Sequence, residues 1–588
     1  MSVQRSLVSL VLASTLWVGC GPGEPPAPAT PVPTPEAPGN DVTPEPRPTE
    51  PAPGPGVQEP RPPVPDQGPP ATDAGVPDAG PPDLDAGLPD AGGPDAGSLV
   101  VHGSHLLHYR TDVADFTQPR SPPSTGIQAF ALESGGGLRP LTVALAADGS
   151  FRIPDAPAGQ YYLRYGTLHL LTDARSVNLD GYELGRQDAQ PGEALSPATL
   201  TAYNLPPPEF DSFPTVQAIS SNLGLSAYID LEEAVPGGAT AIVDRPATYS
   251  QYYPANPVRL DASRGDYQYI TTFAERSTGA GLFYSAVDRY FTQGGLSMNP
   301  GTPLVVRGEL LESRPRTLVF DWWRSRFEAY RHQVSTQVVR SAQYFTVSPT
   351  AWSADHWYGY VGDLMSTAAM QGYSDERLVF SYGNPYPFSW GEVLTLSHNF
   401  QVNLRLPGTT SGSISVGLAD TRPIAHVSPQ QPFAPRITPA QDVTVDGVDA
   451  QQARTLGSLT PTVRWKAPLV GTPSAYRVRV SRLSASGTRT VATHVAYLST
   501  KDTSVTVFPG ILQPGQTYLF TVIAYLTPGI DLATNPYGHQ RLTDVADADA
   551  MSAPLTTPAA LAGEKARLAV EPAPGESAAL ELKAPRAR

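Results

Sequence analysis

Apolar and polar residues alternate with a period of two over most of the chain beyond residue 97. Short runs of Val, Ile, Leu, Tyr and Phe are separated by clusters of Gly, Pro, Asp and Asn, as in antiparallel strands joined by tight turns. Helical patterns are rare, and the best helix candidate is 317–334. We therefore predict an all-β protein built from tandem antiparallel β-sandwich domains.

The middle of the chain, residues 191–431, shows this strand pattern without resembling a family. Its strand-like runs are 199–203, 267–273, 282–290, 304–310 and 395–404. We expect one large or two small β-domains in this region. If the chain has a chemical activity, we expect to find it here.

The stretch from Gly21 to Gly97 has a different composition. It holds 25 of the 65 prolines, and its 13 acidic residues against two arginines give it −11 of the chain's net −15. It ends in five x-Asp-Ala-Gly units, at 72–75, 77–80, 84–87, 89–92 and 94–97. Such a stretch has too little apolar bulk to offset the ordering entropy, so we predict a disordered linker over 20–97. The rest is only mildly acidic and supplies no basic face for nucleic acid.

The N-terminal residues indicate where the protein is located in the cell. Arg5 precedes an apolar run over 7–18 that ends in Gly19 and Cys20. This run has the form of a secretory signal and is too short to span a bilayer core of ~30 Å. Residues 16–20, Leu-Trp-Val-Gly-Cys, resemble the lipobox of bacterial lipoproteins. The resemblance implies a signal peptide over 1–19, lipidation of Cys20 and anchoring in the cell envelope, at the outer membrane or cell surface of a Gram-negative bacterium.

Cys20 is also the only cysteine of the chain. A single cysteine excludes an internal disulfide framework and a cysteine-based metal cluster.

Residues 98–187 contain the run Asp148-Gly149-Ser-Phe-Arg-Ile-Pro, followed by Pro-Ala-Gly-Gln-Tyr-Tyr-Leu at 157–163. Asp-Gly favours a hairpin turn, after which Phe151 and Ile153 would point inward. The two runs together resemble the carboxypeptidase-regulatory-like, or transthyretin-like, β-sandwich. Such domains are usually accessory modules, so the resemblance does not imply peptidase activity.

Residues 432–557 carry a second resemblance. Val463 and Trp465 alternate on one strand, and the run Leu512-Gln-Pro-Gly-Gln-Thr-Tyr518 leads into Phe, Val and Ala at alternate positions. A tyrosine there can turn its hydroxyl back onto the preceding corner. The pattern resembles the fibronectin type III domain, which implies a sandwich used for spacing or binding. We expect residues 558–588 to form a mobile tail.

Aromatic residues concentrate in the middle region, which holds five of the seven tryptophans. The candidates for an exposed ligand platform are Trp352, Trp357, Tyr358, Tyr360 and Trp390. Exposed aromatic faces stack on sugar rings, with acidic and amide side chains such as Asn384 binding the hydroxyls. The alternative is that a β-domain without disulfides uses these aromatics in its own core.

Three other groups are weighed as sites and not adopted. His102, His105 and His108 do not gather on one face of a strand or helix. Ser353, Asp355 and His356 are too close in sequence for a catalytic triad, whose members usually come from separate segments. Arg-Gly-Asp at 264–266 spells an adhesion tripeptide but fits a turn between strands. We assign no catalytic residue, metal or cofactor.

Our leading hypothesis is a cell-surface lipoprotein that displays β-modules for non-catalytic binding of an extracellular protein or glycan. One alternative is an enzyme that binds or degrades polysaccharide through residues 191–431. A second alternative is a structural component of the envelope. The membrane is a partner through the lipid anchor, and nucleic acid is not.

Overall fold

The structure is a computed structural model that describes residues 100–133, 137–254, 256–279, 281–350, 362–370 and 374–559. These residues lie in a unit that begins at Leu99. The predicted signal peptide, Cys20, the linker and residues 560–588 of the predicted tail lie outside the described ranges. Strands dominate the described residues and helices are short, so the all-β prediction is confirmed.

The N-terminal segment, residues 100–187, forms a small sandwich. Its strands are β1 (Val101–Ser104), β2 (Leu106–Arg110), β3 (Asp115–Pro119), β4 (Ile127–Leu132), β5 (Leu138–Leu141), β6 (Ala144–Leu145), β7 (Ser150–Ile153), β8 (Tyr161–Tyr165), β9 (Leu168–Thr172), β10 (Ser176–Asn178) and β11 (Gly181–Leu184). The order β10-β1-β7-β6 makes one sheet, and β9, β8, β4 and β5 supply the opposite wall of the core. Strands β11, β2 and β3 form a third sheet.

The predicted hairpin precedes β7. Gly149 has a φ of +84°, and the Asp148 carboxylate accepts a hydrogen bond from the Ser150 N–H at 2.9 Å. Phe151 and Ile153 are buried, while Ser150 and Arg152 between them are exposed. The alternation predicted from the sequence is therefore present.

The middle segment, residues 188–436, begins with a sheet whose one face packs around a separate core. Its first strands are β12 (Gln190–Pro191), β13 (Leu195–Tyr203), β14 (Val216–Ser220), β15 (Leu225–Leu231), β16 (Ala241–Tyr253), β17 (Val258–Arg259), β18 (Tyr267–Ser277), β19 (Phe283–Gly294), β20 (Leu304–Glu309) and β21 (Leu311–Glu312). The pairing order is β20-β13-β16-β15-β14-β18-β19.

The second half of this segment packs two sheets face to face. Its elements are β22 (Arg314–Trp322), α1 (Arg324–Glu328), α2 (Arg331–Val334), β23 (Val338–Thr350), β24 (Met365–Met370), β25 (Glu376–Asn384), β26 (Gly391–Asn403) and β27 (Ser413–Pro423). Strands β22 and β25 pair with each other and face β24, β23 and β26. Phe320, Phe345 and Phe380 meet between the sheets, with ring centroids 5.8–6.2 Å apart.

The helix predicted over 317–334 is only partly present, because residues 314–322 form a strand. Leu318, Phe320 and Trp322 are buried and the residues between them are more exposed, which is a period of two. The two short helices follow, and 3₁₀ turns occur at Ala262–Arg264, Ile424–His426 and Gly538–Arg541. No helix in the described ranges is long and apolar enough to cross a bilayer.

The C-terminal segment, residues 437–557, is a two-sheet sandwich. Its strands are β28 (Gln441–Val445), β29 (Val448–Asp449), β30 (Arg454–Thr455), β31 (Thr462–Lys466), β32 (Ala475–Ser486), β33 (Arg489–Thr500), β34 (Ser504–Thr506), β35 (Thr517–Leu526), β36 (Val545–Met551) and β37 (Leu555–Thr556). The sheet β29-β28-β31-β34 packs against the sheet β33-β32-β35-β36. The Gln513 N–H donates to the Tyr518 hydroxyl at 2.9 Å, as expected for the tyrosine at this corner.

The three segments are joined by hydrogen-bonded strand pairs within one sheet. Strand β27 of the middle segment pairs with β36, from Leu418 opposite Ala548 to Thr421 opposite Val545. Strand β33 pairs in parallel with β9 of the N-terminal segment. An uncovered strand edge is a template for unwanted pairing, so each junction also protects edges that would otherwise face water.

Candidate functional site

A cleft of about 710 Å³ opens between the two halves of the middle segment. Strands β19, β20 and β21 form one wall, and the turn after β25 forms the other. The lining residues that are exposed or partly exposed include Tyr290, Thr292, Glu309, Leu311, Glu312 and Phe388. This concave surface combines exposed aromatic and charged groups.

The first wall forms where β19 changes partners. Tyr284–Ala286 pair with β24, whereas Tyr290 lies opposite Leu311 of β21. Beyond that pair, the Gln293 side chain bonds the edge of β20, since its amide donates to Val305 O at 3.1 Å and its carbonyl accepts from the Arg307 N–H at 2.9 Å. The Gln293 side chain thus bonds the backbone of β20 where a neighbouring strand would otherwise pair, and the cleft lies beside this contact.

Gly308 is required in the same wall. A Cβ atom at this position would lie 2.2 Å from the ring of Phe291, which is 4% exposed. No real Cβ makes so short a contact, so any larger residue would displace the ring and distort the cleft floor.

Aromatic rings support the second wall from behind. Tyr386 and Trp390 stack with centroids 4.8 Å apart and planes 5° apart, and Tyr269 meets Tyr386 edge-on at 4.8 Å. Trp390 is only 6% exposed. Of the residues predicted for a ligand platform, Trp390 therefore lies in the core of the wall and does not present its face to solvent, and the rings that do face the cleft are Tyr290 and Phe388.

A buried carboxylate fixes the turn that carries this wall. Glu392 is 7% exposed and accepts hydrogen bonds from Tyr382 Oη at 2.5 Å, Asn384 Nδ2 at 2.7 Å and Arg316 Nε at 2.8 Å. The Asn384 carbonyl in turn accepts from the Tyr386 N–H at 2.8 Å. The Asn384 amide, a candidate for binding sugar hydroxyls, is used inside the protein. Burial, together with the Glu392 carboxylate, raises the pKa of Tyr382.

Phe388 stands at the rim of the cleft. Its side chain is 89% exposed, the largest exposed fraction among the large hydrophobic residues described. The Arg314 guanidinium covers one face of the ring, 3.8 Å from its centroid, and donates to the backbone carbonyls of Asn384 and Tyr386. The ring is therefore held in place and keeps its other face open to solvent.

The other predicted platform residues, Trp352, Trp357, Tyr358 and Tyr360, lie outside the described residues. So do Ser353, Asp355, His356 and the lipidation site Cys20. Their predicted roles stay predictions.

The three histidines near the start of the N-terminal segment have separate surroundings. His102 is exposed, His105 Nε2 lies 2.7 Å from the Tyr165 hydroxyl, and His108 Nε2 lies 3.0 Å from Asp180. Burial lowers the pKa of His105 to about 4, with a smaller effect of Arg120. Among the residues we describe, no three His, Cys, Asp or Glu side chains are grouped to hold a metal ion.

The Arg-Gly-Asp tripeptide forms part of a turn, as expected. Asp266 is fully buried and bonds Arg186 at 3.1 Å and Asn222 Nδ2 at 2.8 Å. Arg264 is exposed and pairs with Asp188 at 3.2 Å. The aspartate that an adhesion receptor would contact is thus used inside the protein.

Comparison with known proteins identifies no family. No family model matches the chain, and no curated protein does. Among solved structures, the FN1–FN3 domains of chicken CNTN1 are 11% identical, with 64% of this chain and 97% of that chain covered and a TM-score of 0.14. Escherichia coli alpha-2-macroglobulin is 9% identical, with 78% and 44% covered and a TM-score of 0.12.

A tetra-tandem repeat from the extending region of a large adhesion protein is 12% identical, with 77% of this chain and 99% of that chain covered and a TM-score of 0.11. TM-scores this low do not establish a common arrangement of domains. Any assignment of function must therefore come from the chain's own residues.

Proposed function

We propose that the chain is a non-catalytic binding protein of the bacterial cell envelope, whose ligand occupies the cleft beside Phe388. The observation that carries this proposal is the exposure of Phe388, 89%, on a turn held by buried hydrogen bonds. Phe388 shares the cleft with the exposed Leu311 and with polar residues, and an exposed apolar patch with a polar rim is typical of a binding surface. A preformed surface also loses little conformational entropy when the ligand binds. The occupant is an extracellular protein or a glycan.

The segments around the cleft fit this role as display modules. For the C-terminal segment we propose a fibronectin type III-like module. The Tyr518 hydroxyl bond to the Gln513 N–H and the burial of Trp465, 5% exposed, support it. For the N-terminal segment we propose a transthyretin-like module, and the Asp148-Gly149 hairpin with buried Phe151 supports that assignment.

The anchor is the second part of the proposal. Lipidation of Cys20 would hold the protein on a membrane, and the linker over 20–97 would separate the β-modules from it. Changing Cys20 to Ala is expected to move the protein from the membrane fraction to the soluble fraction. Persistent membrane association of the variant would contradict lipid anchoring. This experiment does not test the cleft, so the ligand requires its own experiment.

The ligand experiment uses the full chain with Cys20→Ala, which is soluble if the anchor is correct. A glycan array and a cross-linked pull-down from envelope extracts are compared for this protein and for its Phe388→Ala form. Phe213→Ala is the matched control, because Phe213 is also exposed, at 63%, and lies on a different loop. Loss of the same ligand with Phe388→Ala and retention with Phe213→Ala is expected.

Equal binding by both variants would overturn the assignment of the cleft. A reducing-sugar assay on any bound glycan distinguishes an enzyme from a non-catalytic binding protein, since turnover would contradict a non-catalytic role. A constitutive complex that does not depend on Phe388 would instead support a structural envelope component.

A further inference from the structure

The cationic side chains around the cleft are already engaged. Arg314 donates to two backbone carbonyls and lies over Phe388. Arg289 donates to Asn204 O at 2.6 Å, and Arg307 donates to the Tyr203 hydroxyl at 3.2 Å. Each of these guanidiniums is thus committed to a group of the protein itself.

The two carboxylates that line the cleft are not engaged in this way. Glu309 and Glu312 are exposed, and neither has an ion-pair or side-chain hydrogen-bond partner within the described ranges. They belong to the same wall as Tyr290 and Leu311, which supply an aromatic ring and an exposed apolar surface. The cleft lining therefore carries two carboxylates without a partner in the described ranges, beside aromatic rings, while its one lining cation, Arg314, is turned onto backbone carbonyls and the Phe388 ring.

We propose that the cleft binds a basic side chain, lysine or arginine, of a partner polypeptide. Its charged head would lie at Glu309 and Glu312, and its methylene stem would pack along Tyr290, Leu311 and the open face of Phe388. Long basic side chains bury their stems on apolar surfaces while their heads remain polar, and aromatic rings attract cations. The inference rests on the proposed function, because it names the chemistry of the ligand that the same cleft takes.

A pair of peptides with the same shape and different charge tests this inference. Fluorescein-labelled (Gly-Arg)5 is titrated with the full-length Cys20→Ala protein at 150 mM salt, and (Gly-citrulline)5 serves as a neutral probe of the same shape. We expect the arginine peptide to bind about tenfold more tightly than the citrulline peptide. The double variant Glu309→Gln/Glu312→Gln should lose about tenfold in affinity for the arginine peptide, since two partly screened ion pairs are removed. Phe388→Ala should lose about fivefold.

The acidic linker also attracts basic peptides, so variants are compared within the same full chain, in which the linker is unchanged. Glu232→Gln is the control, because Glu232 is an exposed carboxylate in the middle segment and away from the cleft lining. This variant should bind the arginine peptide as its parent does. Affinity that is unaffected by the double variant or by Phe388→Ala would overturn the inference.

The failure of this inference is distinguishable from failure of the proposed function. A ligand from the array or the pull-down could depend on Phe388 while the affinity for the arginine peptide is unchanged in the Glu309→Gln/Glu312→Gln variant. The cleft would then be a binding site for a ligand of other chemistry. If no ligand and no peptide responds to any cleft variant, both the inference and the proposed function are wrong.

Discussion

The turn that carries Phe388 depends on a short hydrogen bond, and removing it gives a quantitative test. Tyr382 donates to the buried Glu392 carboxylate at 2.5 Å and is itself 2% exposed. Tyr382→Phe keeps the ring and its packing, so the change removes one hydrogen bond to a charged acceptor. Such bonds contribute about 1.5–3 kcal/mol to the free energy of unfolding. We expect the region around β25 and β26 to be destabilised by that amount.

Hydrogen exchange measured by mass spectrometry reads this effect locally, whereas global unfolding of a chain with several segments does not say which segment is destabilised. A loss of about 1.5–3 kcal/mol corresponds to roughly ten- to a hundredfold faster exchange in peptides from 376–403. Peptides from the C-terminal segment report whether the effect is local. Tyr344→Phe is the control, since the Tyr344 hydroxyl has no hydrogen-bond partner in the part of the chain that the structure describes.

The reasoning would be refuted if Tyr382→Phe and Tyr344→Phe gave the same exchange rates over 376–403. A uniform increase across all segments would also contradict it, because the bond would then stabilise the whole unit and not the turn. A local effect accompanied by loss of ligand binding is the expected outcome.

Three further predictions concern the junctions and the C-terminal corner. Arg436→Ala should lower stability by about 2 kcal/mol in urea unfolding, because it removes one of two cations paired with the buried Asp420. Burial lowers the pKa of His169 to about 3, so its contribution to stability is complete above pH 6.5 and is lost as the pH falls from 6.5 toward 3. His169→Gln should flatten the pH dependence by about 1.4 kcal/mol per pH unit in that window, measured by thermal unfolding. Tyr518→Phe should lower the free energy of unfolding by about 1–3 kcal/mol, because the Gln513 N–H loses its acceptor. The effect would be measured as a lower midpoint in urea unfolding.

Strand positions were predictable because they depend on local patterns. The runs predicted in the middle region each fall on a strand, with at most one residue beyond its end, and Phe151 and Ile153 are buried as their alternation indicated. The helix prediction failed over the first part of 317–334 because a strand and two short helices follow one another there without a break in hydrophobicity.

Pairing between segments was not predictable. The ladders between β27 and β36 and between β9 and β33 are made by backbone groups, which every residue except proline carries.

The central position of a strand in its sheet also changes which of its residues are buried. Arg477 and Arg479 alternate with valines on β32, yet they are only 9% and 6% exposed. Arg477 donates to Pro536 O on the long loop after β35.

The cleft itself could only be found in three dimensions. Aromatic residue type does not distinguish a core ring from an exposed one, and Trp390 and Phe388, two residues apart, have opposite surroundings. The signal that separates them is the hydrogen-bonded turn at Asn384 and Tyr386, which places one ring inside and the next outside. The sequence placed Trp390 among the candidates for an exposed platform, whereas the ring that faces solvent in this turn is Phe388.

The position of the cleft follows from one strand that changes its second partner along its length. β19 pairs with β18 along its length, with β24 near its start and with β21 near Tyr290. A strand shared in this way leaves a seam where its second partner changes, and seams between packed units are where pockets form. Glu309, Glu312 and Phe388 come from the two sides of this seam. A ligand that contacts all three would therefore join the two halves of the middle segment, and its binding should protect both halves from exchange together.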